Sequence, residues 1–297
     1  MHFARDEVTV SVPASSANLG PGFDALGIAL ELRDEVWVRA TTGPTRVTVE
    51  GEGAGKVDTG EGNLVVQSVR AGLESVGAPQ IGIEMHCVNR VPHGRGLGSS
   101  SAAIVAGLAA AGALLEEGVL DTQGIFQLAC QMEGHPDNAA PAVFGGAVVG
   151  GIDDGVAYAQ PFAVHSKVEI TVLIPDFKLE TAKARGLLPS KVPHRDAAFN
   201  VGRAALLPLA LSAHPEWLFA ATADRLHQEY RREGMTASLE LVDMLRGGGL
   251  PAAISGAGPT VIVFSRLDSQ TLEDLKKLGW QARQLPLAAR GVYTAET

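Results

Sequence analysis

Apolar and polar residues alternate through Val8, Val10 and Val12, the period of a half-buried strand, and Pro13 is expected to end that strand before a loop reaching Phe23. The period then changes. Leu64, Val65, Val69 and Leu73 fall on one face of a helix spanning 63–76 with Gly77 as its stop, and Ile81, Ile83, Met85 and Cys87 alternate again as a strand. A glycine-rich loop, 91–101, runs into an alanine-rich helix and places its serines in the capping positions. A helix over 122–133, a turn over 134–138 and an apolar strand within 144–151 follow. From Lys167 a second cycle starts: a strand over 168–174, helices from about residues 197, 215 and 236, and strands on both sides of the loop Ser255–Thr260. It closes with a helix near 270–278 and a final strand. No internal repeat interrupts this order. Its mixture of elements predicts an α+β protein of two packed domains, residues 1–160 and 161–297.

Composition narrows the partners. Hydrophobic residues make up 46% of the 297 positions and charged residues 19%, enough apolar surface to offset chain entropy along most of the length. The formal charge of −9 opposes nonspecific binding to nucleic acid or an anionic membrane, so any anionic ligand must be held by local groups. Cys87 and Cys130 lie in apolar stretches with no second Cys or His at metal spacing, and read as buried small hydrophobes in a reducing compartment. The opening residues Arg5, Asp6 and Glu7 carry no apolar signal core. The longest apolar run, Ala102 to Leu115, is shorter than the ~20 residues a bilayer requires, and the expectation is a cytoplasmic protein.

One junction carries the candidate chemistry. Gly94, Gly96 and Gly98 let backbone approach a ligand closely, and they feed the N-terminus of a helix, where free N–H groups and the positive dipole end favour phosphate. Ser99, Ser100 and Ser101 add hydroxyls, one of which could ligate the magnesium that bridges nucleotide phosphates. The spacing is neither a Walker A loop, nor a dinucleotide-binding G-x-G-x-x-G, nor the G-x-S-x-G elbow of serine hydrolases. Taken alone, the stretch reads slightly better as a flexible turn with an N-cap.

Pro92 to Ala102, P-x-x-x-G-L-G-S-S-S-A, resembles the second signature of the GHMP kinases. Pro13 to Gly27 resembles their first motif, and Ile254 to Thr260 their third, in the order the superfamily uses. The resemblance implies an N-terminal domain like the second domain of ribosomal protein S5 and a ferredoxin-like C-terminal domain, with substrates meeting between them. It implies ATP held by Asn63 and by Pro92, His93, Gly94, Arg95, Gly96, Leu97, Gly98, Ser99, Ser100, Ser101 and Ala102, with Mg2+ on Ser100 and Glu133.

Two segments narrow the branch. Ser16 to Asp24, SANLGPGFD, and Glu133 to Asn138, EGHPDN, have the form of the homoserine kinases, which phosphorylate the L-homoserine hydroxyl to O-phospho-L-homoserine in threonine biosynthesis. By that resemblance Asn18, Asp24, His135, Asp137 and Asn138 contact the amino acid, Asn138 near the reacting hydroxyl. Asp24, Asn138, Ser100 and Glu133 form the catalytic set. Thr181 to Pro189 and Asp224 to Arg231 are similar to two further segments of that branch. They bring Thr181, Arg185 and Arg231 to the substrate, and the third motif brings Gly256 and Gly258. A guanidinium fork suits the α-carboxylate better than Lys183 would, and Arg232 is the alternative to Arg231. Some members carry the metal carboxylate where this chain has Gln127. The general base and a homodimeric state stay open. The alternatives are a GHMP kinase for another alcohol, such as mevalonate or shikimate, and a catalytically silent ATP-binding sensor.

Overall fold

The structure, a computed structural model, describes residues 3–295 and is an α+β fold built on two sheets. The larger is made from β1 (Glu7–Asn18), β2 (Gly22–Thr41), β3 (Arg46–Gly51), β4 (Gly82–Asn89), β5 (Ala147–Asp153) and β6 (Val156–Phe162). It is covered by α1 (Leu64–Ser75), α2 (Ser99–Leu114), α3 (Thr122–Glu133) and α4 (Pro136–Phe144). The smaller holds β7 (Thr171–Ile174), β8 (Ala252–Ile254), β9 (Val261–Val263) and β10 (Gln281–Gln284). With it go α5 (Thr181–Gly186), α6 (His194–Ser212), a short α7 (Leu218–Ala221), α8 (Thr236–Gly247) and α9 (Ser269–Lys277). A last strand, β11 (Tyr293–Thr294), returns to pair with β1.

The smaller sheet runs in the order β10-β7-β9-β8, every neighbour antiparallel, which is the ferredoxin-like arrangement the resemblance implies. Side-chain alternation divides its two faces. Val172 and Ile174 enter a core shared with Ile28, Leu30 and Leu97 of the larger unit, while Leu173 packs with Leu239 and Leu275 under α8 and α9. The two units are therefore joined by one apolar seam, at which the glycine-rich loop sits.

Three expectations need correction. Pro13 does not end the first strand: β1 runs on to Asn18, because the register slips between Pro13 and Ala14 and the proline falls at an irregularity where its missing N–H costs no ladder bond. The segment expected as a loop is thus mostly paired with β2, leaving a turn over 19–21. The expected turn at 134–138 is instead the entry to α4. Pro136 occupies its first turn with φ already set, and Asp137 lies at the positive helix end. The serines after Gly98 do not cap α2. Gly98 itself is the N-cap, left-handed at φ 69°, with no side-chain cap bond, and the serines form the first turn.

α2 lies very close to α1 because its facing positions are small: a methyl on Gly107 would run into the Val65 carbonyl oxygen. The same holds between β2 and α4, where Pro141 cannot donate to the Asp137 carbonyl and that oxygen lies against Gly27. Among the described residues no helix is long and apolar enough to cross a membrane.

The contact at Gly27 positions the first turn of α4, and with it Asp137 and Asn138. Gly27→Ala is expected to push α4 off β2 at an overpacking cost of about 1–3 kcal/mol, lowering the melting temperature by several degrees and kcat/KM more than tenfold. Thermal unfolding and steady-state kinetics on the one variant check both outcomes.

Candidate active site

The first amides of α2 have no intrahelical partners, and the glycine loop curls over them to leave two adjoining cavities. The first, about 400 Å³, is apolar, running between the sheet and α2 past Val36, Val49, Cys87, Ala102 and Ala106, with Asn63, Asn89 and His93 at its polar edge. Asn63 caps α1: its Oδ1 accepts from Val65 N at 2.9 Å and its Nδ2 donates to the Asp58 carbonyl at 2.9 Å. Asp34 closes the floor, one carboxylate oxygen accepting from the amides of Arg90 and Val91, and burial pushes its pKa up to about 6 against those bonds. Burial also pushes the thiols of Cys87 and Cys130 up to about 12, so both behave as the small hydrophobes expected.

The second cavity, about 160 Å³, is polar and gathers residues from six stretches of chain. Gly94, Gly96, Gly98 and Ser99 to Ser101 form one wall. Glu133, His135, Asp137 and Asn138 form another, and Asn18, Thr181, Arg185, Arg231 and Gly256 complete it. Ser100 Oγ donates to Glu133 Oε1 at 2.7 Å, placing a hydroxyl and a carboxylate side by side at the mouth of the glycine loop. Gln127 points elsewhere, its amide both accepting from Ala157 N at 2.9 Å and donating to Ala157 O at 2.6 Å to tie α3 to β6.

The acid-base groups form two pairs. His135 Nδ1 lies 2.6 Å from Asp137 Oδ1. Burial works against the imidazolium, but the hydrogen bond and charge of Asp137 overcome it and leave the His135 pKa above its ordinary value. Arg185 grips Asp24 with both ends of its fork, Nη2–Oδ1 at 2.6 Å and Nη1–Oδ2 at 3.1 Å. Arg231 is 1% exposed and has no carboxylate partner among the described residues. Burial, then the charge of Arg185, lowers its pKa to about 10, and its Nε has no hydrogen-bond partner. A buried guanidinium with an unspent donor beside a cavity is a site for an anion. Arg232, the sequence alternative, is spent on Glu229 and Asp243 at the surface.

Several expected site residues also bond or pack against backbone and neighbouring side chains. Asn18, left-handed at φ 66°, spends its amide on the Gly256 carbonyl, 2.8 Å, and on Asp24 N, 3.0 Å, so it shapes the pocket from behind. Arg95 turns away from both cavities to the carbonyls of Pro175 and Asp176 beyond β7. Pro92 lines a separate surface cleft with Arg95, Leu97 enters the apolar seam, and Gly258 packs on Met235. Sequence reading passed over Ser15, whose Oγ donates to Asn138 Oδ1 at 2.9 Å. It also passed over Asp34, and over Phe23, whose ring lies under both Arg185 and Arg231. Their partners are more than fifty residues distant in sequence, and no local pattern marks them.

The family model of the GHMP kinases N terminal domain matches residues 63–146, the stretch from the α1 cap through the glycine loop to the turn after α4. A homoserine kinase of Streptomyces avermitilis is 46% identical over 97% of this chain and 96% of its own. The solved homoserine kinase of Cytophaga hutchinsonii superposes with a TM-score of 0.85 at 24% identity, covering 99% of both chains. A putative homoserine kinase of Listeria monocytogenes superposes at 0.78 with 28% identity, covering 98% of this chain and 99% of its own. Identity at that level along nearly the whole length, on this fold and with these motifs lining one cleft, means that the chain belongs to the homoserine kinase family of the GHMP kinases.

Proposed function

We propose that the chain transfers the γ-phosphoryl group of ATP to the side-chain hydroxyl of L-homoserine in the cytoplasm, releasing ADP and O-phospho-L-homoserine. The observation that carries this reading is the polar cavity, which has an unpaired buried guanidinium at one end and a glycine-lined helix N-terminus at the other. Residues 1–160 supply the nucleotide side and most of the acceptor pocket. Residues 161–297 supply Thr181, the two arginines and the third glycine loop.

In this reading adenine takes the apolar cavity edged by Asn63 and His93, and the phosphates lie along the amides of Gly96 to Ser101. The homoserine carboxylate meets Arg231 and Arg185, and its ammonium meets Asp24, which gives up part of its grip on Arg185. A zwitterion thereby replaces an internal ion pair with little change in net charge. Its hydroxyl reaches toward Asn138, whose amide is oriented by Ser15. The oxygen pair on Ser100 and Glu133 is the hard-ligand set Mg2+ prefers, and these residues would hold it. When bound, the ion would neutralise charge on the β- and γ-phosphates. The chain's own residues contribute positioning and charge complementarity, the larger part of what phosphoryl transfer asks of a protein. None is assigned as an obligatory base.

Ser100→Ala and Glu133→Gln are expected to lower kcat at least tenfold while the KM for homoserine changes little, and Gln127→Ala to leave kcat near wild type. A Gln127 variant that lost activity while Glu133→Gln kept it would transfer the metal role upstream.

Serine is expected to be a very poor substrate: with its charged groups on Asp24, Arg185 and Arg231, its hydroxyl falls short by one methylene. A displacement near 1 Å costs on the order of 100-fold in rate. Mevalonate lacks the ammonium and leaves Asp24 facing the pocket unpaired by substrate. A coupled ADP-release assay across homoserine, serine, mevalonate and shikimate tests the reading, and equal turnover of mevalonate and homoserine would sink it.

His135 has its pKa raised in the fold, so its protonated pair with Asp137 stabilises the protein fully below the unfolded-chain value. That contribution is lost as pH rises through the folded value. Asp137→Asn should bring the His135 titration, followed by NMR, below its wild-type midpoint.

A further inference from the structure

His227 lies outside the expected site residues, yet its side chain is fully buried and bonds both the turn after β1 and Arg231, which lines the second cavity. Its Nε2 is 2.7 Å from the carbonyl oxygen of Gly20, in the turn between β1 and β2, and a carbonyl can only accept. Its Nδ1 is 3.1 Å from Arg231 Nη1, and a guanidinium can only donate. The two partners together dictate one form of the ring: neutral, with the proton on Nε2 and the lone pair of Nδ1 aimed at Arg231. A second proton would set donor against donor in a site without water access. Burial lowers the His227 pKa and the Arg231 charge lowers it further, against the charges of Asp224 and Asp24. Phe23 packs on the imidazole, ring centres 5.1 Å apart, and both Arg231 and Arg185 lie over that phenyl ring at 5.5 and 5.6 Å. The Asp224 carboxylate holds the segment from below by accepting from the amides of Leu226, His227 and Gln228.

We propose that His227 is a positioning residue for the acceptor amino acid: as an obligate neutral Nε2–H tautomer anchored on Gly20, it accepts from Arg231 Nη1 and thereby aims the rest of that guanidinium at the substrate carboxylate. The inference rests on the reading of Arg231 as a carboxylate site. Among the described residues Arg231 has no acid to orient it, and its other bond is a long one from Nη1 to the Gly256 carbonyl, 3.4 Å. A neutral acceptor suits this task. A carboxylate in the same place would orient the guanidinium but also neutralise it, and so compete with the substrate.

The test is a double-mutant cycle with steady-state kinetics, using L-homoserine and homoserine amide, which lacks the carboxylate. His227→Leu is expected to raise the KM for homoserine about tenfold while kcat at saturating homoserine and the KM for ATP stay within about twofold. His227→Gln, which can donate to Gly20 and accept from Arg231 at once, is expected to recover most of that loss. In an Arg231→Ala background, His227→Leu should add nothing, because the residue acts through the arginine. Multiplying effects in the double variant would overturn the proposal, as would a Gln variant of native melting temperature that is as impaired as Arg231→Ala. The Gln arm decides the matter even where the Leu variant does not fold. A wild-type chain that fails to distinguish homoserine from its amide would remove the carboxylate reading itself, and the inference with it. A wild-type chain that does distinguish them while the cycle shows independent effects would remove the inference alone.

Discussion

Three loops far apart in sequence are locked together through their own backbones, and every feature of the cleft depends on that lock. Ser15 N donates to the Leu97 carbonyl, Thr260 N to that of Arg95 and Gly256 N to that of Ala17, while Ser255 Oγ bonds the Gly96 carbonyl and Ser16 Oγ. The packing leaves no room for side chains: a methyl on Gly96 would strike the carbonyl of Ser255, and one on Gly98 the hydroxyl of Ser15. The glycines do more than loosen a turn. They let the loop be clamped from both sides while its remaining amides face the cavity, a preorganised arrangement that needs little reordering when charge arrives.

An acidic protein has to concentrate its positive potential to hold anions, and this one does so by withholding partners. Several surface arginines are paired: Arg39 with Glu7, Arg70 with Glu61, Arg232 with Glu229 and Asp243. Arg231 is buried and without an acid among the described residues, and burial lowers its pKa to about 10. That burial is tolerable because Phe23 lies under the guanidinium and His227 accepts one of its donors without cancelling its charge. The neighbouring Arg185 is paired with Asp24, so of the two arginines lining the cavity Arg231 is the one left without an acid among the described residues.

The local elements were the most legible in the sequence. The spans of α1 and α3 and the strands around 252–263 all follow from periodicity and punctuation confined to a dozen residues. Where the reading failed, the deciding interaction was remote. Pro13 and the glycines after it look like a loop, yet the twenty-residue β2 offers a partner along most of that length, and pairing overrode local propensity. His-Pro-Asp-Asn looks like a turn until one notices that proline fits the first turn of a helix and that Pro141, five residues on, leaves a carbonyl to press against Gly27. The structure adds the hydrogen-bond partners that a motif does not print. Asn18 lines the cleft and Arg95 stands beside it, and the polar groups of both bond backbone carbonyls and one amide.

The choice between Glu133 and Gln127 shows what three dimensions add to a motif. Both lie on α3, six residues apart, so they project from faces that differ by well over a right angle at 100° per residue. A helix can therefore offer only one of them to α2. The amide of Gln127 matches the paired donor and acceptor of Ala157 on β6, an arrangement a carboxylate could not complete, since it has no hydrogen to give to the carbonyl. Glutamine at that position is accordingly a structural solution, and it fastens α3 in the rotation that brings Glu133 to Ser100. The residue that departs from some members' pattern thus helps to hold Glu133 beside Ser100.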